Sequence, residues 1–502
     1  MKQEKRKQAH MVSFMNPGNL QKQIDSYGYH FSMGKYMISV MGSVLGAGVC
    51  GVLFSLKWYW IMVVAVVMAF CLPGLVLDGY KNMYEHKRFL DVTDYMEQMM
   101  YSFQMNHKIL SALKDTKTMF PEGKMGKAME ATTAYLEGGV YEKDLYGEAF
   151  AIIEKEYPNR RVKGMHEYLK RVEKSGGDCQ EGILLLLADK DIWADNTLLL
   201  QEDKKAARVR VLFALVITVG LALVFHGVYR AMPMEYSIVA HPITQVITAL
   251  YLCSSILIFA RANREIAQSW IEREVVVEKD KMYRYQRFIS EYNETKEQRK
   301  SMLTSLPFLV ASFCFGIAGK VPIAGSLFVL GLFLLNQHKI GYQLAYQRVV
   351  REINLCFPQW LMEMSLLLQG NNVQVAIEKT ITNAPAVLQE ELKLLSKRLL
   401  RHPDSVMPYM KFFEKFPLSG VQAAMKMLYS ISEAGNGDIK NQIRVMVQRN
   451  NKLLDKSEKA QNEKSLTGIS TIFYLPQLTV SLQMMTNMVV FMLVFFTHMK
   501  LN

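Results

Sequence analysis

The sequence predicts an all-α, polytopic membrane protein with about seven transmembrane helices and two duplicated six-helix cytoplasmic domains. Half of the 502 residues are apolar although the chain also carries a formal net charge of +13, so the apolar residues must be concentrated in runs. Several of those runs approach the ~20 residues that span a bilayer as a helix. In addition, one stretch of the sequence occurs twice, about 260 residues apart.

The repeated stretch begins at Glu173 and ends at Lys204 in its first copy. The shared frame, Glu-x-x-x-Gly-Asp, is made of Glu173, Gly177 and Asp178 in the first copy and of Glu433, Gly437 and Asp438 in the second. Each copy continues into a long polar stretch and then into an apolar run. A turn, a long polar helix and the start of a transmembrane helix are thus predicted twice. Such a repeat constrains the fold more than local propensity does.

The N-terminal part of the chain predicts a cytoplasmic segment followed by a membrane hairpin. Residues 1–35 are polar and basic, and they are expected to stay in the cytoplasm. Residues 36–77 hold two uncharged runs that are separated only by Lys57, which is typical of a transmembrane hairpin. The cluster Trp58-Tyr59-Trp60 places aromatic rings at the outer interface, where such rings are favoured.

Residues 78–208 predict the first cytoplasmic helical domain (repeat 1). Apolar residues recur there at helical spacing, as in Phe89, Val92, Met96 and Met99, and no convincing alternating strand pattern intervenes. About six amphipathic helices fit into this length.

The middle of the chain predicts two more membrane hairpins with a charged segment between them. The hairpins are residues 209–262 and residues 303–337, and the second is short enough that a re-entrant pair is an alternative to two full spans. Residues 263–302 are crowded with charges and are expected to form one long cytoplasmic helix.

The C-terminal part repeats the plan. Residues 338–466 predict the second six-helix domain (repeat 2), and its first helices align with those of repeat 1 at an offset of 264, as Ala112 does with Ala376. The later helices align at an offset of 260, and a four-residue deletion in a loop explains the change of offset. Residues 467–502 predict a C-terminal transmembrane helix.

The distribution of Lys and Arg predicts how the chain is oriented. The proposed spans place nearly every heavily basic segment, the N-terminus and both helical domains on one side, as the bias of positive charge toward cytoplasmic loops requires. We therefore expect a multi-pass protein of the plasma or inner membrane, with membrane lipid around its spans.

Motifs for chemistry are missing from the sequence. Gly123-Lys124-Met125-Gly126-Lys127 is the nearest approach to a phosphate-binding loop, and it lacks the spacing and the Ser/Thr. There is no H-x-x-x-H pair and no G-x-S-x-G elbow, and the six cysteines are spread singly. No catalytic, cofactor-binding or metal-ligating residue is predicted, and no nucleic-acid motif is found. All seven apolar runs lack charged residues, which disfavours an ion-coupled transporter.

The repeated turn has a structural and a functional interpretation. Gly177 and Gly437 can end one helix in the left-handed conformation, while Asp178 and Asp438 cap the next. Capping does not explain the two glutamates, because each is expected in the last turn of a helix, where the macrodipole disfavours a negative charge. A basic partner, within the domain or on another protein, is the alternative.

Two short motifs resemble a known family. Glu173-x-x-Gly176 and Glu433-x-Gly435, each followed by a long helix and a membrane segment, are similar to the signature of the type II secretion system F family. The resemblance covers about 78–231 and 338–497, and the chain looks like two platform subunits of a tight-adherence (Flp) pilus joined together.

The resemblance implies a non-enzymatic inner-membrane platform, without cofactors, that couples a cytoplasmic hexameric ATPase to the extraction of pilin subunits from the bilayer. Such a platform is expected to form a homo- or hetero-oligomer. Pilus assembly, protein secretion and DNA uptake all remain open as the process it serves. The alternative is a membrane permease or a receptor scaffold with helical interaction domains.

Overall fold

The computed structural model describes residues 17–138, 144–176, 179–233, 237–271, 279–416, 418–433 and 439–501. Every regular element within these ranges is a helix. The prediction of an all-α membrane protein is therefore confirmed at the level of fold class.

The first half of the chain contains nine of the described helices. They are α1 (Pro17–Ser26), α2 (Met33–Leu53), α3 (Trp58–Asn106), α4 (Ile109–Lys117), α5 (Lys124–Glu137), α6 (Leu145–Glu156), α7 (Arg160–Ser175), α8 (Gln180–Ala231) and α9 (Pro242–Ile266).

The second half contains ten. They are α10 (Lys279–Glu291), α11 (Glu294–Ile317), α12 (Val321–Leu335), α13 (Gln337–Leu367), α14 (Val373–Ile381), α15 (Ala386–Arg401), α16 (Met407–Met410), α17 (Ser419–Glu433), α18 (Ile439–Phe473) and α19 (Leu475–Leu501).

The chain divides into two compact units, each made of segments that are distant in sequence. The first unit comprises Met1–Glu173, Trp193–Arg273 and Ala460–Asn502. The second comprises Lys174–Ile192 and Glu274–Lys459.

Among the described residues, six helical stretches are long and apolar enough to cross a membrane. They are α2, α3, α8, α9, α11 and the stretch Asn441–His498, which α18 and α19 share. α12 and α13 are bent by 51° relative to each other, and they add a seventh span only if the bent pair counts as one. The structure thus supports a multi-pass membrane protein with about six spanning helices.

The charged segment 263–302 does not form the single helix that its sequence predicts. α9 ends early in this segment, α10 and α11 are separate helices, and residues 272–278 lie outside the described residues. The break before α11 has a local cause, because Asn293 has an extended backbone and its side chain accepts a hydrogen bond from the N–H of Lys296 at 3.5 Å. An asparagine in this position starts a new helix instead of continuing the old one.

α3 and α8 extend well beyond a bilayer. They contain 49 and 52 residues, and at the rise of an α-helix this corresponds to roughly 75 Å each, more than twice a hydrocarbon core of about 30 Å. The far half of α3 supplies Phe89, Val92, Met96 and Met99, all of which are at most 1 % exposed. This predicted apolar stripe is therefore a helix face in the core of the first bundle, which consists of that half of α3 together with α4–α7.

A buried polar network crosses the first bundle. His166 of α7 is hydrogen-bonded through Nε2 to the Tyr95 hydroxyl at 2.9 Å and through Nδ1 to the Glu154 carboxylate at 2.8 Å. The Phe150 ring stacks on the imidazole with 3.8 Å between the ring centroids. Both nitrogens of this histidine thus have partners, as a buried ring requires.

The second unit has a core of the same kind. Leu388, Leu392, Leu395 and Leu399, which the sequence predicts as one helix face, are at most 2 % exposed on α15. Nearby, the indole N–H of Trp360 donates to the Thr380 hydroxyl at 3.0 Å, so the polar atom of this fully buried ring is also satisfied.

Candidate functional site

Two of the six residues predicted for the repeated turn are described by the structure. Glu173 lies in the last turn of α7, and Glu433 is the last residue of α17, so both occupy the helix ends that the sequence predicts. The other four, Gly177, Asp178, Gly437 and Asp438, lie outside the described residues.

Glu173 is bound within its own bundle. Its Oε2 accepts a hydrogen bond from the backbone N–H of Ile109 at 2.8 Å, and its Oε1 accepts one from the Tyr146 hydroxyl at 2.9 Å. The ammonium group of Lys108 lies 3.8 Å from Oε1. Only 11 % of the glutamate side chain is exposed. The basic partner expected for this residue therefore exists within the domain, together with two hydrogen-bond donors.

Ile109 is the first residue of α4, so Glu173 caps a helix to which it does not belong. The N-cap of α4 is Lys108, whose side chain makes no capping hydrogen bond because an ammonium group has no acceptor atom. The first backbone N–H groups of a helix need acceptors, and the positive end of the macrodipole favours an anion. The carboxylate from α7 satisfies both requirements.

The carboxylate of Glu173 contributes to a raised pKa of Tyr146. Burial and, after it, the hydrogen bond and the negative charge of Glu173 raise the pKa of Tyr146 to about 12. The phenol therefore stays protonated over the ordinary pH range and continues to donate to Glu173.

α14 of the second unit is capped by its own N-cap residue. Asn372 stands at the offset of 264 from Lys108, and it is the N-cap of α14. Its Oδ1 accepts a hydrogen bond from the N–H of Val375 at 2.9 Å. An asparagine provides the acceptor that a lysine lacks, so α14 does not require a distant carboxylate.

Glu433 is accordingly in a different environment from Glu173. Its side chain is exposed, and it forms no hydrogen bond or ion pair with the part of the chain that the structure describes. Of the two glutamates, Glu433 is thus the one with an exposed side chain.

Sequence reasoning missed a polar contact inside the membrane-spanning helices. Gln483 of α19 is 4 % exposed, and its amide donates to the hydroxyl of Thr248 of α9 at 3.3 Å. Asn487, one turn further along α19, is also buried. Such contacts hold membrane helices together. The signal was two amides at i and i+4 in an apolar run, which a search for charged residues passes over.

The described residues contain no group of three or more His, Cys, Asp or Glu side chains placed to hold a metal ion. An open groove of about 510 Å³ lies between α11 and α12. Its lining is mostly apolar and includes Phe313, Ile317 and Phe328.

No model of a known protein family matches the chain, and no significant match is found among curated proteins or solved structures.

Proposed function

We propose that this protein is the inner-membrane platform of a type IV or tight-adherence pilus, or of a type II secretion machine. In this role it couples a cytoplasmic ATPase to the assembly of pilin subunits. Its two helical bundles face the cytoplasm, and it acts as a homo- or hetero-oligomer surrounded by lipid. The proposal starts from the family resemblance of the two Glu/Gly turns.

The observation that supports it best is the continuity of helices between bundle and membrane. α3 contains an apolar stretch at its beginning and the Phe89 core stripe in its far half, with no loop between them. α8 begins shortly after Glu173 and runs through its apolar stretch to Ala231. A continuous helix transmits a displacement of one end to the other better than a flexible linker does. This arrangement suits a protein that moves membrane helices in response to a cytoplasmic partner.

A duplication of the bundle is part of the proposal. At the offset of 264, Thr116 corresponds to Thr380, and both are fully buried. The Thr116 hydroxyl lies 3.9 Å from the sulfur of Met99, and the Thr380 hydroxyl lies 4.0 Å from the sulfur of Met364. Both threonines are buried and lie against a methionine sulfur, although Met364 stands at an offset of 265 from Met99, and this similarity supports a common origin of the two bundles. Two bundles in one chain then offer two related surfaces to an oligomeric ATPase.

The test is to purify the tagged full-length chain from its own membranes in mild detergent and to identify what accompanies it. We expect a hexameric ATPase and pilin-like subunits to be enriched over a tagged, unrelated multi-pass protein from the same membranes. Absence of any ATPase from the purified material, combined with solute flux in proteoliposomes that hold the chain alone, would contradict the platform and support the permease.

A further inference from the structure

The segment that follows α9 is docked firmly into the first unit. It runs through residues 267–271 and has no regular structure, yet Trp270 is 1 % exposed and Ile271 is 4 % exposed. Loops next to a membrane helix ordinarily lie on the surface. We call residues 267–271 the clasp segment.

A cluster of aromatic rings holds one side of the clasp segment. The Trp270 ring lies 4.9 Å from the ring of His86 and 5.8 Å from that of Phe89, both on α3. Phe89 in turn meets Trp193 of α8 edge-on, with 5.1 Å between the centroids. Aromatic contacts of this kind contribute beyond the area they bury. The clasp segment is thereby packed against α3, at the point where α3 contacts α8.

A buried carboxylate holds the backbone of the same segment. Oε2 of Glu85 on α3 accepts hydrogen bonds from the Ser269 hydroxyl at 2.9 Å and from the Trp270 N–H at 3.3 Å. Arg88 lies 3.5 Å from the other carboxylate oxygen. Only 5 % of Glu85 is exposed. A charge so well buried is tolerated only when it has such partners.

A buried lysine holds the end of α9 itself. The ammonium group of Lys204 on α8 donates to the carbonyl oxygen of Glu265 at 3.2 Å and to the side chain of Gln268 at 3.4 Å. Lys204 is 4 % exposed. A cation at the C-terminal end of a helix satisfies the free carbonyl groups and interacts favourably with the macrodipole.

These contacts connect α9 to the bundle, although α9 does not continue into the bundle as a helix. α3 and α8 are each continuous from the bundle into an apolar stretch, whereas α9 ends at Ile266 and has no helical continuation into the bundle. We propose that the clasp segment, held by Glu85, Trp270 and Lys204, couples α9 to the bundle so that α9 moves as one body with α3 and α8. The coupling goes beyond the platform function and is independent of which partner moves the bundle.

Contacts further along α9 connect it to other helices, and these helices are the ones that a movement of α9 reaches. Near its other end, the amide of Gln245 donates to the carbonyl oxygen of Ser55 at 3.0 Å and accepts from the N–H of Lys57 at 2.9 Å. In between, Thr248 accepts from Gln483 of α19. A displacement applied through the clasp segment is therefore passed to the turn between α2 and α3 and to α19.

The test measures distances between spin labels on the full chain in lipid nanodiscs, with the native cysteines replaced. One label pair joins position 130 on α5 to position 257 on α9, and the reference pair joins position 130 to position 66 on α3; Glu130, Leu257 and Val66 are all exposed. In Trp270→Ala we expect the 130–257 distribution to broaden about twofold, as for a locally released element, while the 130–66 distribution keeps its width.

Two milder variants and a control complete the experiment. Glu85→Gln and Ser269→Ala remove the charge and one hydrogen bond of the clasp, and each should broaden the 130–257 pair less than Trp270→Ala does. Glu167→Gln breaks an exposed ion pair with Lys163 on α7 and should leave both pairs unchanged. An unchanged 130–257 width in Trp270→Ala would overturn the coupling. Equal broadening of both pairs in Ser269→Ala would also overturn it, because these contacts would then hold the bundle together instead of joining α9 to it.

Discussion

The carboxylate of Glu173 accepts a hydrogen bond from the backbone N–H of Ile109, which lies 64 residues earlier in the chain, at 2.8 Å. A negative charge at the C-terminal end of its own helix is unfavourable, but the same charge lies at the N-terminal end of α4, where the macrodipole favours it. The placement that is puzzling in the sequence of α7 is thus explained by the neighbouring helix.

Removing this distant cap should destabilise the start of α4. In Glu173→Ala the Ile109 N–H loses its acceptor at a largely buried position, which typically costs about 1–3 kcal/mol. Glu173→Gln keeps one acceptor oxygen for the Ile109 N–H but loses the charge and the second acceptor oxygen, so we expect a smaller loss of stability than in Glu173→Ala. Hydrogen exchange of residues 109–117 in the full chain measures the effect directly. Equal protection of these amides in both variants and in the parent would contradict the capping role.

Giving α4 its own cap should make Glu173 dispensable. Lys108→Asn places at this N-cap the residue type that α14 has at Asn372, and we expect it to recover most of the protection that Glu173→Ala loses. The reverse change, Asn372→Ala, should cost α14 about 1 kcal/mol, because the Val375 N–H loses its acceptor. The measurement is hydrogen exchange of residues 109–117 and 373–381. Additive effects of the two first-bundle changes would show that their roles are unrelated.

The features that follow from local periodicity could be predicted from the sequence. The stripe from Phe89 to Met99 and the leucine stripe of α15 repeat at helical spacing, and both are buried because one face of each helix meets the core. The helix break at Asn293 differs from the continuous helix that charge density alone predicts, because the asparagine side chain caps a new helix.

The partners of the candidate site were beyond the sequence for a physical reason. Glu173 binds a backbone N–H, and every residue except proline has one, so nothing in the residue type of Ile109 marks it as the partner. Tertiary packing alone brings α7 to the start of α4. The same holds for Glu85, which binds the backbone of Trp270 across 185 positions of the chain.

The buried histidine of the first bundle predicts a loss of stability at low pH. Burial lowers the pKa of His166, and the hydrogen bond to Glu154 opposes that effect only in part, while Lys170 adds to it. Below about pH 6.5, the ordinary histidine value, the unfolded chain binds more protons than the folded one, so the free energy of unfolding decreases as pH falls. The slope is at most about 1.4 kcal/mol per pH unit.

Unfolding of the full chain between pH 8 and pH 5, followed by hydrogen exchange of the first bundle, measures this slope. His166→Gln should flatten it, because the variant has no group that titrates at this position. His402→Gln changes an exposed histidine and should leave the slope as it is. A His166→Gln chain that retains the full pH dependence would assign the effect to other groups.

The proposed orientation predicts which positions are accessible from outside the cell. Residues 232–240 carry no Lys or Arg, whereas the helical bundles are rich in both. In a background without native cysteines, Ala240→Cys should react with a membrane-impermeant thiol reagent in intact cells. Glu130→Cys and Arg287→Cys, both at exposed positions, should react only after the cells are opened. Labelling of Glu130→Cys in intact cells would reverse the topology.

The contrast between the two repeated glutamates predicts that a change at Glu433 acts on a partner and not on the fold. Glu433 is exposed and has no hydrogen bond or ion pair among the described residues, so Glu433→Gln should change the stability of the second unit by less than about 0.5 kcal/mol. If a basic group of the proposed ATPase partner meets this carboxylate in a partly desolvated contact, loss of the carboxylate should weaken binding by about 2–5 kcal/mol. Co-purification of the ATPase with the full chain, followed as a function of salt, measures this effect.

Glu390→Gln, which removes an exposed carboxylate 4.0 Å from Lys393 on α15, is the matched control and should retain the ATPase. If the Glu433→Gln chain binds the ATPase as strongly as the parent does, this glutamate has no role in partner binding, and the contact must lie on another surface.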